Sequence, residues 1–176
     1  PFAYTDEGDI TMTSCDGVQF EVYRSDLHTH SEIFPGDEFG SRNETVCLSE
    51  DAATLALLFQ YMSHRPHPDL CFIAFEQLSK LAEAAEKYRV FPAMEACKTS
   101  MRGTLPKNAI SILAYAARHG YDKIYVEAAP LTLRLEPKKV FEHLGHVFFV
   151  HWVRMRRCDV GICADSRCRF FIARSG

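Results

Sequence analysis

At 176 residues the chain suits one ordinary core, or one compact domain with a smaller appendage, and 47% apolar with 24% charged residues mark it as globular, not disordered. No apolar run reaches about 18 residues and no basic-then-apolar leader opens the sequence, so the reading is a soluble, non-secreted chain with no membrane span, placed in cytoplasm or nucleus. The net charge of −3 hides a split: residues 1–100 hold 17 acids and 7 bases, residues 101–176 hold 6 acids and 13 bases, which argues against a nucleic-acid surface in the first stretch only.

In chain order, DITMT at 9–13 alternates as a strand with Ile10 and Met12 on one face. A turn at Asp16 and Gly17 leads to a second strand through Val18, Phe20 and Val22, and the pair reads as a hairpin. Ser25 and Asp26 can cap a short helix, LHTHSEIF at 27–34, that presents Leu27, Ile33 and Phe34 to a core and ends at Pro35 and Gly36. Residues 36–44 read as loop and TVCL at 45–48 as a third strand. Ser49 has the pattern of a helix cap, with Glu50 and Asp51 in the first turn and Leu55, Leu58, Phe59 and Met62 at helical spacing. SHRPHPDL, with two prolines, is a connection.

The clearest period lies in FEQLSKLAEAAEKYRV at 75–90. Phe75, Leu78, Leu81, Ala82, Ala85 and Tyr88 form one apolar stripe, with Glu83 and Lys87 in the favourable i, i+4 order on the other side. A further helix runs from Phe91 or Pro92 to Met101. Residues 102–106 form the best internal boundary. Beyond it, NAISILAYAARHG places Ile110, Leu113, Ala114 and Ala117 on one face and stops at Gly120, and residues 121–129 form a short helix ended by Pro130. LEPKKVFEHLG is proline-initiated and glycine-stopped, and HVFFVHWVRM is apolar enough for helix or strand. The end, 157–175, has no period and is crowded with Cys, Arg and Gly, which reads as a poorly ordered or atypical tail.

The stretch DGVQFEVYRSDLHTHSEIF resembles the opening of a BTB/POZ domain, a hairpin followed by a helix carrying a leucine, then a serine and a phenylalanine. The likeness continues through TVCLSEDAATLALLFQYM and FEQLSKLAEAAEKYRV. AYAARHGYDKI, AAPLTL and FVHWVRM resemble the helical extension of BTB proteins from mushroom-forming fungi. Tyr23 stands where the family commonly has a structural histidine, and loop 36–44 and the Cys-rich end depart from its pattern.

The resemblance implies an α+β fold of short strands with a helical bundle over residues 9–101 and a helical C-terminal extension at 106–152, while residues 153–176 read as an atypical basic Cys/Arg-rich tail outside it. It implies a protein–protein interaction module that self-associates as a homodimer, a scaffold or adaptor. Cullin-3 of a ubiquitin ligase, or co-regulators of transcription, are the partner classes. By motif position Phe20, Leu27, His30, Phe34, Tyr61 and Tyr88 are the core or interface residues, with Tyr61 and His30 read as exposed.

Catalytic signatures are absent: there is no GxSxG, glycine-rich phosphate loop or HExxH, and the reading is of a protein that is no enzyme and needs no cofactor. His28, His30 and Glu32 are two apart, a spacing that diverges on a helix, and His64 and His67 flank Pro66 in a loop. His143, His146, His151, Cys158, Cys163 and Cys168 are zinc-compatible donors, of which His151, Cys158, Cys163 and Cys168 are the closest set, though no CxxC knuckle is present and free thiols are the reading preferred. Cys15, Cys47, Cys71 and Cys97 sit among apolar neighbours and read as buried free thiols. From Arg154 onward six arginines accompany two acids, with Trp152, Phe170 and Phe171 nearby. This tail supplies the alternative reading, a nucleic-acid-binding regulatory protein.

Overall fold

The computed structural model describes residues 8–34 and 45–159, the last two without their side chains. It is a mixed α+β chain of three strands and seven helices among the described residues: β1 (Ile10–Thr13), β2 (Gln19–Val22), α1 (Arg24–His30), β3 (Thr45–Cys47), α2 (Ala52–Met62), α3 (Phe75–Tyr88), α4 (Phe91–Gly103), α5 (Leu105–His119), α6 (Asp122–Thr132) and α7 (Pro137–Asp159). The chain divides into two compact units, Pro1–Ser100 and Met101–Gly176.

In the first unit the sheet order is β2-β1-β3, with β2 antiparallel and β3 parallel to β1. Alternation places Ile10, Met12, Phe20 and Val22 on the buried face. The hairpin closes through Ser14, whose hydroxyl accepts the Val18 N–H at 3.0 Å, and through Gly17 at φ 83°, a left-handed conformation suited to glycine. Asp16 does more than turn the chain. Its Oδ1 accepts the N–H of Ala52 at 2.9 Å, so a hairpin residue satisfies an orphan donor at the start of α2. Asp51 supplies the other cap, accepting from Thr54 N at 2.8 Å, and the cap therefore falls two residues after the Ser49 expected from sequence.

Leu55, Leu58, Phe59 and Met62 of α2 are buried, as are Leu78, Leu81, Ala82, Ala85 and Tyr88 of α3, and the two helices pack against one another. The stripe expected over α3 is thus the buried one, widened by Ala84, while Phe75 is half-buried. Arg89, in the left-handed conformation at φ 55°, ends α3 and turns Val90 into the core. The first helix differs from expectation. It spans Arg24–His30 without a side-chain cap, and Ser25 and Asp26 lie inside its first turn. Of the thiols expected to be buried only Cys97 is so. Cys15 is exposed in the hairpin turn, Cys47 on edge strand β3 and Cys71 in the α2–α3 connection, because apolar neighbours along a strand or turn point to other faces.

The second unit is helical over its described residues. α5 packs on α6 and α7. Its buried set, Ala109, Ile112, Leu113, Ala114, Tyr115 and Ala116, is broader than the four-residue stripe expected and leaves Ile110 and Ala117 half-buried. α6 runs through Pro130 to Thr132 instead of stopping before it. In the last turn a proline removes only one backbone bond, so the helix survives. Gly145, at φ 67° and ψ 175°, breaks α7 into two helical segments as its glycine suggests, and the HVFFVHWVRM stretch is helical. No helix among the described residues is long and apolar enough to cross a membrane.

Candidate functional site

The most elaborately connected part of the first unit is the junction where α1 ends against α3. α1 is short, so its last carbonyls and the chain that follows need partners from elsewhere. Ser31 provides them. Its backbone N–H closes on the carbonyl of Leu27, its hydroxyl donates to the carbonyl of Tyr88 at the end of α3, and the same oxygen accepts the N–H groups of Ile33 at 3.1 Å and Phe34 at 3.0 Å. One hydroxyl thereby ends a helix, shapes the next turn and fastens both to α3. Phe34 then stacks on the ring of Tyr88, with centroids 4.4 Å apart and planes 9° from parallel.

A charged network continues from the same tyrosine. The Tyr88 hydroxyl donates to Glu50 Oε2 at 2.7 Å, and Lys87 Nζ donates to Glu50 Oε1 and to Ser49 Oγ, each at 2.7 Å. Glu50 is mostly covered. Burial pushes its carboxyl up, but the hydrogen bonds from Lys87, Tyr88 and Ser49 together outweigh burial and hold it below its ordinary value. Burial, and then the bond to Glu50, push the Tyr88 phenol up to about 12. Lys80 joins Asp51 to Glu76, so the start of α2 is tied to the side of α3 at two places.

The residues singled out from sequence fall into two groups. Phe20, Leu27, Phe34, Tyr61 and Tyr88 are buried in the core of the first unit, where Phe20 meets the ring of Phe59 edge-on at 5.4 Å. Tyr61 corrects the expectation of exposure: it is 1% exposed, its hydroxyl donates to the carbonyl of Pro68 at 3.3 Å, and burial raises its phenol to about 12. The α2–α3 connection, folded back over α2, covers it. His30 alone is partly exposed, with the ring of His64 6.5 Å away and His64 Nε2 3.9 Å from Asp26 Oδ1. The apolar side chains that the first unit presents outward are others: Val18, Tyr23, Ile33, Phe91 and above all Phe72, 92% exposed beside the turn that Asp69 makes with Cys71 N.

The second unit has its own buried polar link. The indole of Trp152 donates to Thr132 Oγ1 at 3.0 Å, and that hydroxyl donates to the carbonyl of Ala129 at 2.8 Å, joining the second segment of α7 to the end of α6. Phe149 stacks on Trp152, and the guanidinium of Arg156 lies 5.2 Å from the indole centre while donating to the carbonyl of Leu135 at 3.4 Å. No group of three or more His, Cys, Asp or Glu able to hold a metal occurs among the described residues. His28, His30 and Glu32 are not brought into such a group, His151 is exposed on α7, and Cys163, Cys168 and the side chain of Cys158 lie outside the described residues, as do Phe170 and Phe171.

Sequence reasoning passed over Glu50 as more than a first-turn acid, Asp16 as more than a turn residue, and Thr132 entirely. Glu50 and Thr132 each stand at a helix end, which was the available signal, whereas Asp16, in the hairpin turn, carried none for its bond to Ala52. No protein-family model matches the chain, and no curated protein sequence matches it.

Proposed function

We propose that residues 9–101 form an interaction module of the BTB/POZ type and residues 106–152 its helical extension, the whole acting as a non-catalytic, self-associating scaffold or adaptor of cytoplasm or nucleus. One observation carries the reading. The leucine, serine and phenylalanine on which the resemblance rests, Leu27, Ser31 and Phe34, are buried together, and Ser31 serves as the joint between α1 and α3. That role gives a physical reason for those residue types at that spacing: an apolar anchor, a hydroxyl that can donate and accept at once, and a ring to stack on Tyr88. The outward Tyr23, Ile33 and Phe72 supply apolar area of the kind that interfaces use.

Titration of the purified chain against the N-terminal domain of cullin-3 separates the two roles. Binding at about micromolar or tighter favours the adaptor, with residues 106–152 as the substrate side. A folded chain that self-associates and does not bind cullin-3 is a scaffold or co-regulator, and a folded chain that does neither overturns the proposal.

A further inference from the structure

The second segment of α7 buries one side and leaves the other uncovered. Trp152 is fully buried on the inner side, whereas Val147, 66% exposed, Val150, 41% exposed, and the exposed Arg154 and Arg157 follow one another at intervals of three, four and three residues. That spacing keeps all four on a single narrow seam about 15 Å long, the repeat by which one helix lies along another. Its composition is graded, two apolar side chains first and two cations after them, with the exposed His151 beside Val147 and Arg154 on the same face. Arg156 is engaged with Trp152 and Leu135, but among the described residues Arg154 and Arg157 have no acidic partner. Among the described side chains of α7, Glu142 is the one acid beside Lys138, Lys139, Arg154, Arg156 and Arg157.

We propose that this seam docks an acidic amphipathic helix of a partner protein, with the partner's apolar side chains against Val147 and Val150 and its carboxylates against Arg154 and Arg157. Charge complementarity selects the occupant: an excess of cations at one end of an apolar stripe suits a helix graded from apolar to acidic. A lipid surface fits less well, because the uncovered apolar residues of the seam are two valines, while Trp152 is fully buried and the half-buried Phe149 is stacked on it. Val147 and Val150 lie within the proposed extension at 106–152, but the seam is argued from none of Leu27, Ser31 and Phe34 and stands whether or not cullin-3 binds.

The test uses the full chain and a labelled, designed helical peptide of about 20 residues, with leucines at three-and-four spacing in one half and glutamates at the matching positions of the other. The acidic peptide binds the wild-type chain, weakens with added salt, and loses about tenfold in affinity for the double variant Arg154→Glu, Arg157→Glu. A peptide with lysines for the glutamates shows the reverse preference. Both arginines are exposed, and an unchanged circular dichroism spectrum and melting curve confirm that the variant is folded. Absence of acidic-peptide binding, or binding indifferent to the double substitution, overturns the proposal. So does tighter retention on phosphatidylserine vesicles through the same arginines, or loss of the chain's own self-association in the double variant, which would assign the seam to a lipid surface or to a second copy.

Discussion

The two units close their cores by different chemistry. In the first, beside the neutral hydroxyl of Ser31 on the Tyr88 carbonyl, short elements are held by carboxylates: Tyr88 and Lys87 on Glu50, Asp16 and Asp51 at the start of α2. In the second, longer helices are joined at their buried link by two groups that do not titrate, the indole of Trp152 and the hydroxyl of Thr132. Short strands and a seven-residue helix bury little apolar surface each, so their ends must be tied individually. Longer helices need fewer such ties.

The largest expected effect is in the second unit. Trp152→Ala removes a fully buried indole and strips Thr132 of its donor, and it should destabilise that unit by about 3–5 kcal/mol, measured by denaturant unfolding followed by circular dichroism. In the first unit Ser31→Ala should cost about 1–3 kcal/mol by leaving the Tyr88 carbonyl and the Phe34 N–H without their partner, read by the same method. A cost indistinguishable from zero would show that the joint at Ser31 is ornamental.

Acid should separate the units. Glu50, Asp51 and Asp16 are held below their ordinary values in the folded chain, so the stability they give is present above the unfolded values of 4.5 and 3.8 and is lost as pH falls through the lower folded ones. Hydrogen exchange at α1 and the start of α2 should therefore rise first on acidification, while fluorescence of Trp152, the single tryptophan, stays native-like. Tyr61 and Tyr88, raised to about 12, act at the other end of the scale: the stability they give is complete below 10.0 and disappears as pH rises through about 12. The smallest effect is expected at Tyr125, whose buried hydroxyl has no hydrogen-bond partner among the described residues. Tyr125→Phe should shift stability by less than about 0.5 kcal/mol or raise it slightly, seen as a nearly unchanged melting temperature.

Periodicity made the helices legible. The α3 stripe apart from half-buried Phe75, the four apolar positions of α2 and the alternation of β1 with β2 apart from exposed Val18 reappear as buried faces, because a face repeated every 3.6 or 2 residues is a local property. Tyr61 and the exposed cysteines were misread because covering depends on where a connection folds back, which no window of sequence contains. Of the candidate site, Leu27, Ser31 and Phe34 were visible as a pattern. The attachments of Ser31 to Tyr88 and Asp16 to Ala52 join residues 57 and 36 positions apart, and only the assembled fold brings them together.

Self-association is the most direct test of the interaction-module reading. Light scattering of the purified chain over a dilution series should give a mass of twice the 20.0 kDa chain at the higher concentrations. A folded species of 20.0 kDa at every concentration that also leaves cullin-3 unbound would contradict it.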